Sequence, residues 1–234
     1  MPEPKLLAFD TSTDVLSVAV RHGDRVVAHS GAGGAQASST LIPLIRRLLA
    51  EAGLTLAELD AIAFGRGPGS FTGLRTACAV AQGLGFGAGV PLLPIDTLQA
   101  VADEARHRFG AERVVALLDA RMDQVYAARY AFDVDDAAAA VPELLAPEQV
   151  AVPDSWALAG NAFAAYGERL PAGAARHTVL PTADALLRLA PALLAAGGAV
   201  APADAWPLYV RNKVAQTTEE RAALKAAAAS AATL

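Results

Sequence analysis

GRGPGSFTGLR, residues Gly65 to Arg75, is the stretch on which the reading of this chain turns. Four glycines and a proline fall within eleven residues. An apolar run (Leu59 to Phe64) precedes them and a small-residue run (Thr76 to Gly87) follows. Glycine permits positive φ and close backbone approach, and proline fixes a bend. The pattern predicts a strand, a tight turn and a helix, with Ser70 as N-cap. Such a turn aims free backbone N–H groups at one point, which suits an anion near Gly67, Gly69 and Ser70. No Gly-Lys-Ser/Thr follows, so it is not a Walker loop. Its glycines, at 65, 67, 69 and 73, lack the Gly-x-Gly-x-x-Gly spacing of a dinucleotide loop. On the residues alone it is either a phosphate cradle or a structural turn that lets helix and strand pack closely.

The 234 residues suffice for one large or two small domains. Hydrophobic residues make up 54% and charged ones 18%, with mean hydropathy +0.34. Alanine inflates the apolar figures, and no run of about 18 apolar residues lacks charges or turn formers, so no transmembrane helix is expected. The apolar run before Asp10 is too short for a signal peptide. A single cysteine, Cys78, excludes an internal disulfide, and a cytoplasmic location follows. The net charge of −5 argues against a large basic nucleic-acid surface.

Outward from the opening stretch, Lys5 to Asp10 reads as a buried strand ending in an acid. Val15 to Val20 and Arg25 to His29 complete a meander with it. Ser38 to Ala52 carries Leu41, Leu44, Ile45, Leu48 and Leu49 at helical spacing, and Gly53 ends that helix. Val90 to Ile95 is a strand, and Asp96 caps a helix to about Arg108, so the first half reads βββαβαβα. Arg113 to Asp119 is again an apolar strand ending in an acid. Asp10 to Ala19 (DTSTDVLSVA) lies over Asp119 to Ala128 (DARMDQVYAA), 109 positions on, which favours two related lobes. Further on, Val141 to Leu145 and Trp156 to Gly160 read as strands and Asn161 to Arg169 as a helix. Thr182 to Ala196 reads as a helix broken by Pro191, and Asp204 to Val210 as an extended segment. The expected division is a lobe at 1–109, a second at 110–215, and an alanine-rich tail at 216–234 that favours fraying.

Asp10 and Asp119 are expected to face a cleft between the lobes, where such acids hold Mg²⁺ or water in a phosphotransferase. Beside them, Thr11 either hydrogen-bonds an anion or nucleotide or closes a turn, and Arg121 is a candidate anion contact. Neither acid is followed by the glycine that a phosphate hairpin wants, so capping of the next turn is the stronger reading. None of His22, His29, His107 and His177 lies three or four residues from another, so no helical metal pair forms. Ala79, Gly83 and Gly87 recur every four residues and leave a flat groove, which packs either on the chain's own sheet or on a partner.

FDTSTDVLSVAV, GRGPGSFTGLRTACAVAQGLGFG, PLLPIDTL, LLDARMDQVYAARY and PLYVRNKVA together resemble the bacterial TsaB family, also called YeaZ. The likeness covers residues 5 to about 130 and returns at Trp206 to Ala215. Gln36-Ala37-Ser38 departs from it where the family often carries a histidine. The resemblance implies an α/β protein of actin-like ATPase (ASKHA) fold, with two related lobes, each a mixed sheet flanked by helices. It implies a non-catalytic subunit in making N6-threonylcarbamoyladenosine at position 37 of tRNAs that read codons beginning with A. The partners implied are TsaD, which transfers the threonylcarbamoyl group, and TsaE, an ATPase. A homodimer is implied when TsaD is absent, with tRNA met through the complex. No cofactor is implied for this subunit alone, since ATP and metal belong to the partners. The expected partner surface combines Leu41, Leu44, Leu48, Phe71, Arg75, Ala79 and Gly83. The rival from another class is an actin-fold kinase or glycopeptidase-like hydrolase, active on its own.

Overall fold

A computed structural model describes residues 3–134 and 140–211, so the expected tail at 216–234 lies outside the described residues. The first half runs β1 (Leu6–Asp10), β2 (Val15–His22), β3 (Arg25–Ala32), α1 (Ala37–Ala52), β4 (Ala61–Gly67), α2 (Phe71–Ala88), β5 (Leu92–Asp96) and α3 (Thr97–Phe109). The second runs β6 (Arg113–Arg121), β7 (Gln124–Ala131), β8 (Glu143–Leu145), β9 (Ala157–Gly160), α4 (Phe163–Tyr166), β10 (Arg176–Thr178) and α5 (Ala183–Ala195).

One sheet has the order β3-β2-β1-β4-β5 and the other β8-β7-β6-β9-β10. β1 pairs antiparallel with β2 and parallel with β4, and β6 does the same with β7 and β9. The order and senses are therefore identical in the two sheets. Both central strands are covered on both faces, which is why each is an unbroken apolar run rather than an alternating one.

The helices do not follow the halves of the chain. α1 lays Leu41, Ile45 and Leu48 on Phe9, Val18 and Phe64 of the first sheet. The other face of that sheet is covered by α5, through Leu186, Leu187 and Ala190 against Leu6, Ala8 and Ala63. α3 instead packs Leu98, Val101 and Ala105 on Val114, Ala116 and Leu118 of the second sheet. A boundary at 109/110 thus separates the sheets but not the layers. Arg188 of α5 closes the exchange, donating to Asp103 (2.7 Å) and Glu104 (2.8 Å) of α3.

Three local expectations are corrected. Pro191 does not break α5, because the apolar stripe of Leu186, Leu187 and Ala190 is buried and holds the helix through the missing hydrogen bond. The helix expected over 161–169 shrinks to Phe163–Tyr166, and a three-residue edge strand, β10, appears where none was expected. No helix among the described residues is long and apolar enough to cross a membrane.

Candidate functional site

The turn between β4 and α2 folds onto the end of β1. A Cβ at Gly65 would overlap the Asp10 carboxylate, one at Gly73 the Thr11 carbonyl, and one at Gly69 would stand 2.7 Å from Ser12. Gly67 alone has positive φ (123°), and the Leu208 carbonyl comes within 2.6 Å of its would-be Cβ. Ser70 N–H donates to the Ser12 carbonyl (2.8 Å), and the Thr11 hydroxyl donates to the Gly73 carbonyl (2.7 Å). Ser70 is the N-cap position of α2 but makes no capping bond with its side chain. The glycines therefore serve close packing of helix on strand, and the phosphate-cradle alternative has no support in this geometry.

Asp10 does not face the cleft. It is fully buried beneath Gly65, and its Oδ1 accepts from the Ser12 amide (2.8 Å) and hydroxyl (2.6 Å). Its Oδ2 has no hydrogen-bond partner. Desolvation raises its pKa to about 6, against the lowering effect of the Ser12 bonds and of the nearby Thr97 hydroxyl. Asp119 repeats the turn: Oδ1 accepts from the Arg121 amide (2.7 Å) and from the Tyr166 hydroxyl (3.0 Å). Its own N–H donates to Asn161 Oδ1 (2.8 Å), and Oδ2 pairs with the Arg121 guanidinium (3.1 Å). Both acids are thus occupied in holding the bends that follow them.

A cavity of about 320 Å³ lies between the two sheets. Asp119 lines it, as expected; of the residues anticipated near an anion, Gly69, Ser70 and Arg121 line it, while Asp10, Thr11 and Gly67 do not. Arg121, Met122 and Asp123 are all left-handed (φ 61°, 55° and 58°), an arrangement that disfavours side chains with a Cβ. Arg211 holds this turn by donating to the carbonyls of Ala120 (3.0 Å) and Arg121 (3.3 Å), and Arg169 pairs with Asp123 (2.7 Å). Arg121 also reaches Asp14 on the other wall (3.4 Å). Tyr209 and Arg211 line the cavity too; they fall within the PLYVRNKVA stretch, but no site role was expected for them. The extended run over 204–210 was visible, but nothing in it marks what it touches.

On the outside, α2 buries Leu74, Ala77, Cys78, Ala81 and Gly85 and presents Phe71, Arg75, Ala79, Gly83 and Phe86. Phe86 is 64% exposed, and a Cβ at Gly83 or Gly87 would meet open space. Arg75 is the helix's one charged residue, and its guanidinium lies 4.0 Å above the Phe71 ring. Leu41, Leu44 and Leu48 are a correction. They are buried in the chain's own core, because α1's apolar stripe is what attaches it to the sheet. Among the residues that α1 turns outward are Ile42, Pro43, Arg46, Arg47 and Glu51.

Two copies of one sheet order, with a cleft between them, define a two-lobed α/β protein of the actin-like ATPase fold. Residues 32–224 match the family described as TsaD, tRNA N6-adenosine threonylcarbamoyltransferase. The chain is 34% identical to the tRNA threonylcarbamoyladenosine biosynthesis protein TsaB of Escherichia coli K12, over 90% of this chain and 96% of that one. It is 46% identical to TsaB of Haemophilus influenzae over 52% of this chain and 51% of that one. The solved structure of YeaZ from Pseudomonas aeruginosa superposes with a TM-score of 0.82 at 42% identity, covering 88% of this chain and 99% of that one. The chain belongs to the TsaB (YeaZ) family.

Proposed function

We propose that this chain is a non-catalytic subunit of the machinery that places threonylcarbamoyl on N6 of adenosine 37 in tRNAs reading ANN codons. It docks on a TsaD-type threonylcarbamoyltransferase through the outer face of α2. TsaE joins the pair, tRNA is met through the complex, and a second copy occupies the same face when TsaD is absent. ATP and metal are held by the partners, and the assembly works in the cytoplasm. The relatives' names support the pathway, and one observation carries the docking role. α2 is sealed to its own sheet on one side, yet offers solvent an open, nearly uncharged surface of Ala79, Gly83 and Phe86 on the other. Small residues let a second helix approach closely, and isolated surface positions do not need such a pattern.

The test is co-purification with the TsaD homologue of the same organism. Ala79→Arg or Gly83→Arg fills the open surface without touching the core, so each variant keeps the wild-type circular dichroism and loses the partner. Unchanged association in both would sink the docking role.

A further inference from the structure

Residues 202–211 run antiparallel along one flank of α2 and then cross to the other lobe. Pro202 packs at Gly85, and the Ala205 carbonyl accepts from Gln82 (3.0 Å) and from the Cys78 thiol (3.4 Å). Leu208 N–H donates to the Arg66 carbonyl (2.7 Å). The Tyr209 ring lies 5.6 Å from Phe71, and its hydroxyl accepts from Arg75 Nε (3.2 Å). Two residues further on, Arg211 holds the carbonyls of the left-handed turn at 120–121. Phe71 and Arg75 belong to α2's exposed face, and Phe71 reaches the cavity wall that Tyr209 and Arg211 also form.

We propose that this strap is a conformational link. Occupation of the Phe71–Arg75 end of α2 is passed through Tyr209 to Arg211, and so to the β6–β7 turn on the far side of the cleft. The physical basis is that one short covalent segment has an anchor on each element, so the two anchors share their strain. The turn is the responsive end, because three consecutive left-handed residues need outside support to persist. Arg211 supplies that support from the strap itself. Arg75 is held by a hydrogen bond to the Tyr209 hydroxyl and by the Phe71 ring face, so a partner that engages either one competes directly with the strap. The partner half of this inference rests on the docking role of α2, and the intramolecular half does not.

Hydrogen–deuterium exchange on the full chain tests both halves. Arg75→Ala and Tyr209→Phe each speed exchange at residues 119–125 by about tenfold, the scale of a typical coupling, and the double variant adds little to either. Amides of β3, on the far edge of the first sheet, keep their wild-type rates. No change at 119–125 in both single variants overturns the link. So does an equal acceleration of β3, which would mean general loosening. Adding the TsaD homologue then alters exchange at 119–125 in the wild type and not in Tyr209→Phe. Binding without that change also overturns the link. Failure to bind overturns the docking role alone, and the free-chain comparison still decides the link.

Discussion

Asp10 sits at the end of the central strand with one carboxylate oxygen bonded to Ser12 and the other buried without a partner. Burial lifts its pKa from 3.8 to about 6, so the folded chain holds this proton more tightly than the unfolded chain does. A raised folded-state value stabilises below pH 3.8, and that contribution disappears as pH rises through about 6. The difference corresponds to about 3 kcal/mol. Asp10→Asn removes the titration, so its stability relative to wild type should climb by about that amount between pH 4 and pH 7.5. Urea unfolding of both proteins across that range measures it. A difference that does not change with pH would show that Asp10 ionises freely in the folded state. The acid's position in the chain was legible from the residues, but its orientation was not. That orientation is set by Gly65, 55 positions later, whose missing side chain leaves the space the carboxylate fills.

At the scale of the element, α2 has two unlike glycine faces. Gly73 lies against the Thr11 carbonyl with no room for a methyl group, whereas Gly83 faces open solvent. The same substitution should therefore act in opposite directions within one helix. Gly83→Ala should stabilise the isolated chain by about 1 kcal/mol through helix propensity. Gly73→Ala should destabilise it by about 2 kcal/mol, because backbone must move to admit the methyl group. Thermal unfolding of the two variants beside wild type reads both signs, and a stabilised Gly73→Ala would contradict the packing described for the turn. Helical spacing revealed that α1 and α2 exist, yet it did not say where their faces point. Leu41, Leu44 and Leu48 form an apolar stripe whichever surface they meet, and here they meet their own sheet. In α2 the small residues occupy both faces, so only the three-dimensional neighbours separate packing glycines from exposed ones.

Across the whole molecule, the repeat was legible in Asp10 and Asp119 and in the strands they close, because buried central strands allow little but apolar residues. The exchange of α3 and α5 between sheets left no such trace, since an amphipathic helix does not record which sheet it covers. Arg188, joining these helices, is the residue most exposed to a test at this scale. Asp103 and Glu104 are about nine-tenths buried, and desolvation already raises the Asp103 pKa in spite of the guanidinium beside it. Arg188→Met keeps the stem and removes the charge, leaving two carboxylates without their cation. A loss of about 3 kcal/mol is expected in urea unfolding, as for breaking a buried pair. A loss below about 0.5 kcal/mol would place the pair among solvent-screened ones.

The crossing of helices also bears on how the chain is made. During synthesis, the first sheet can form once α2 and β5 have left the ribosome, but most of its second face, beyond what Ala100 of α3 covers, waits for α5, which begins nearly ninety residues later. For that interval Leu6, Ala8, Ala63 and Ile95 line a largely bare apolar wall. The partly covered wall exposes the nascent chain to aggregation for less than half of its synthesis, and α5 acts as the closing step of a fold that began with its first strand.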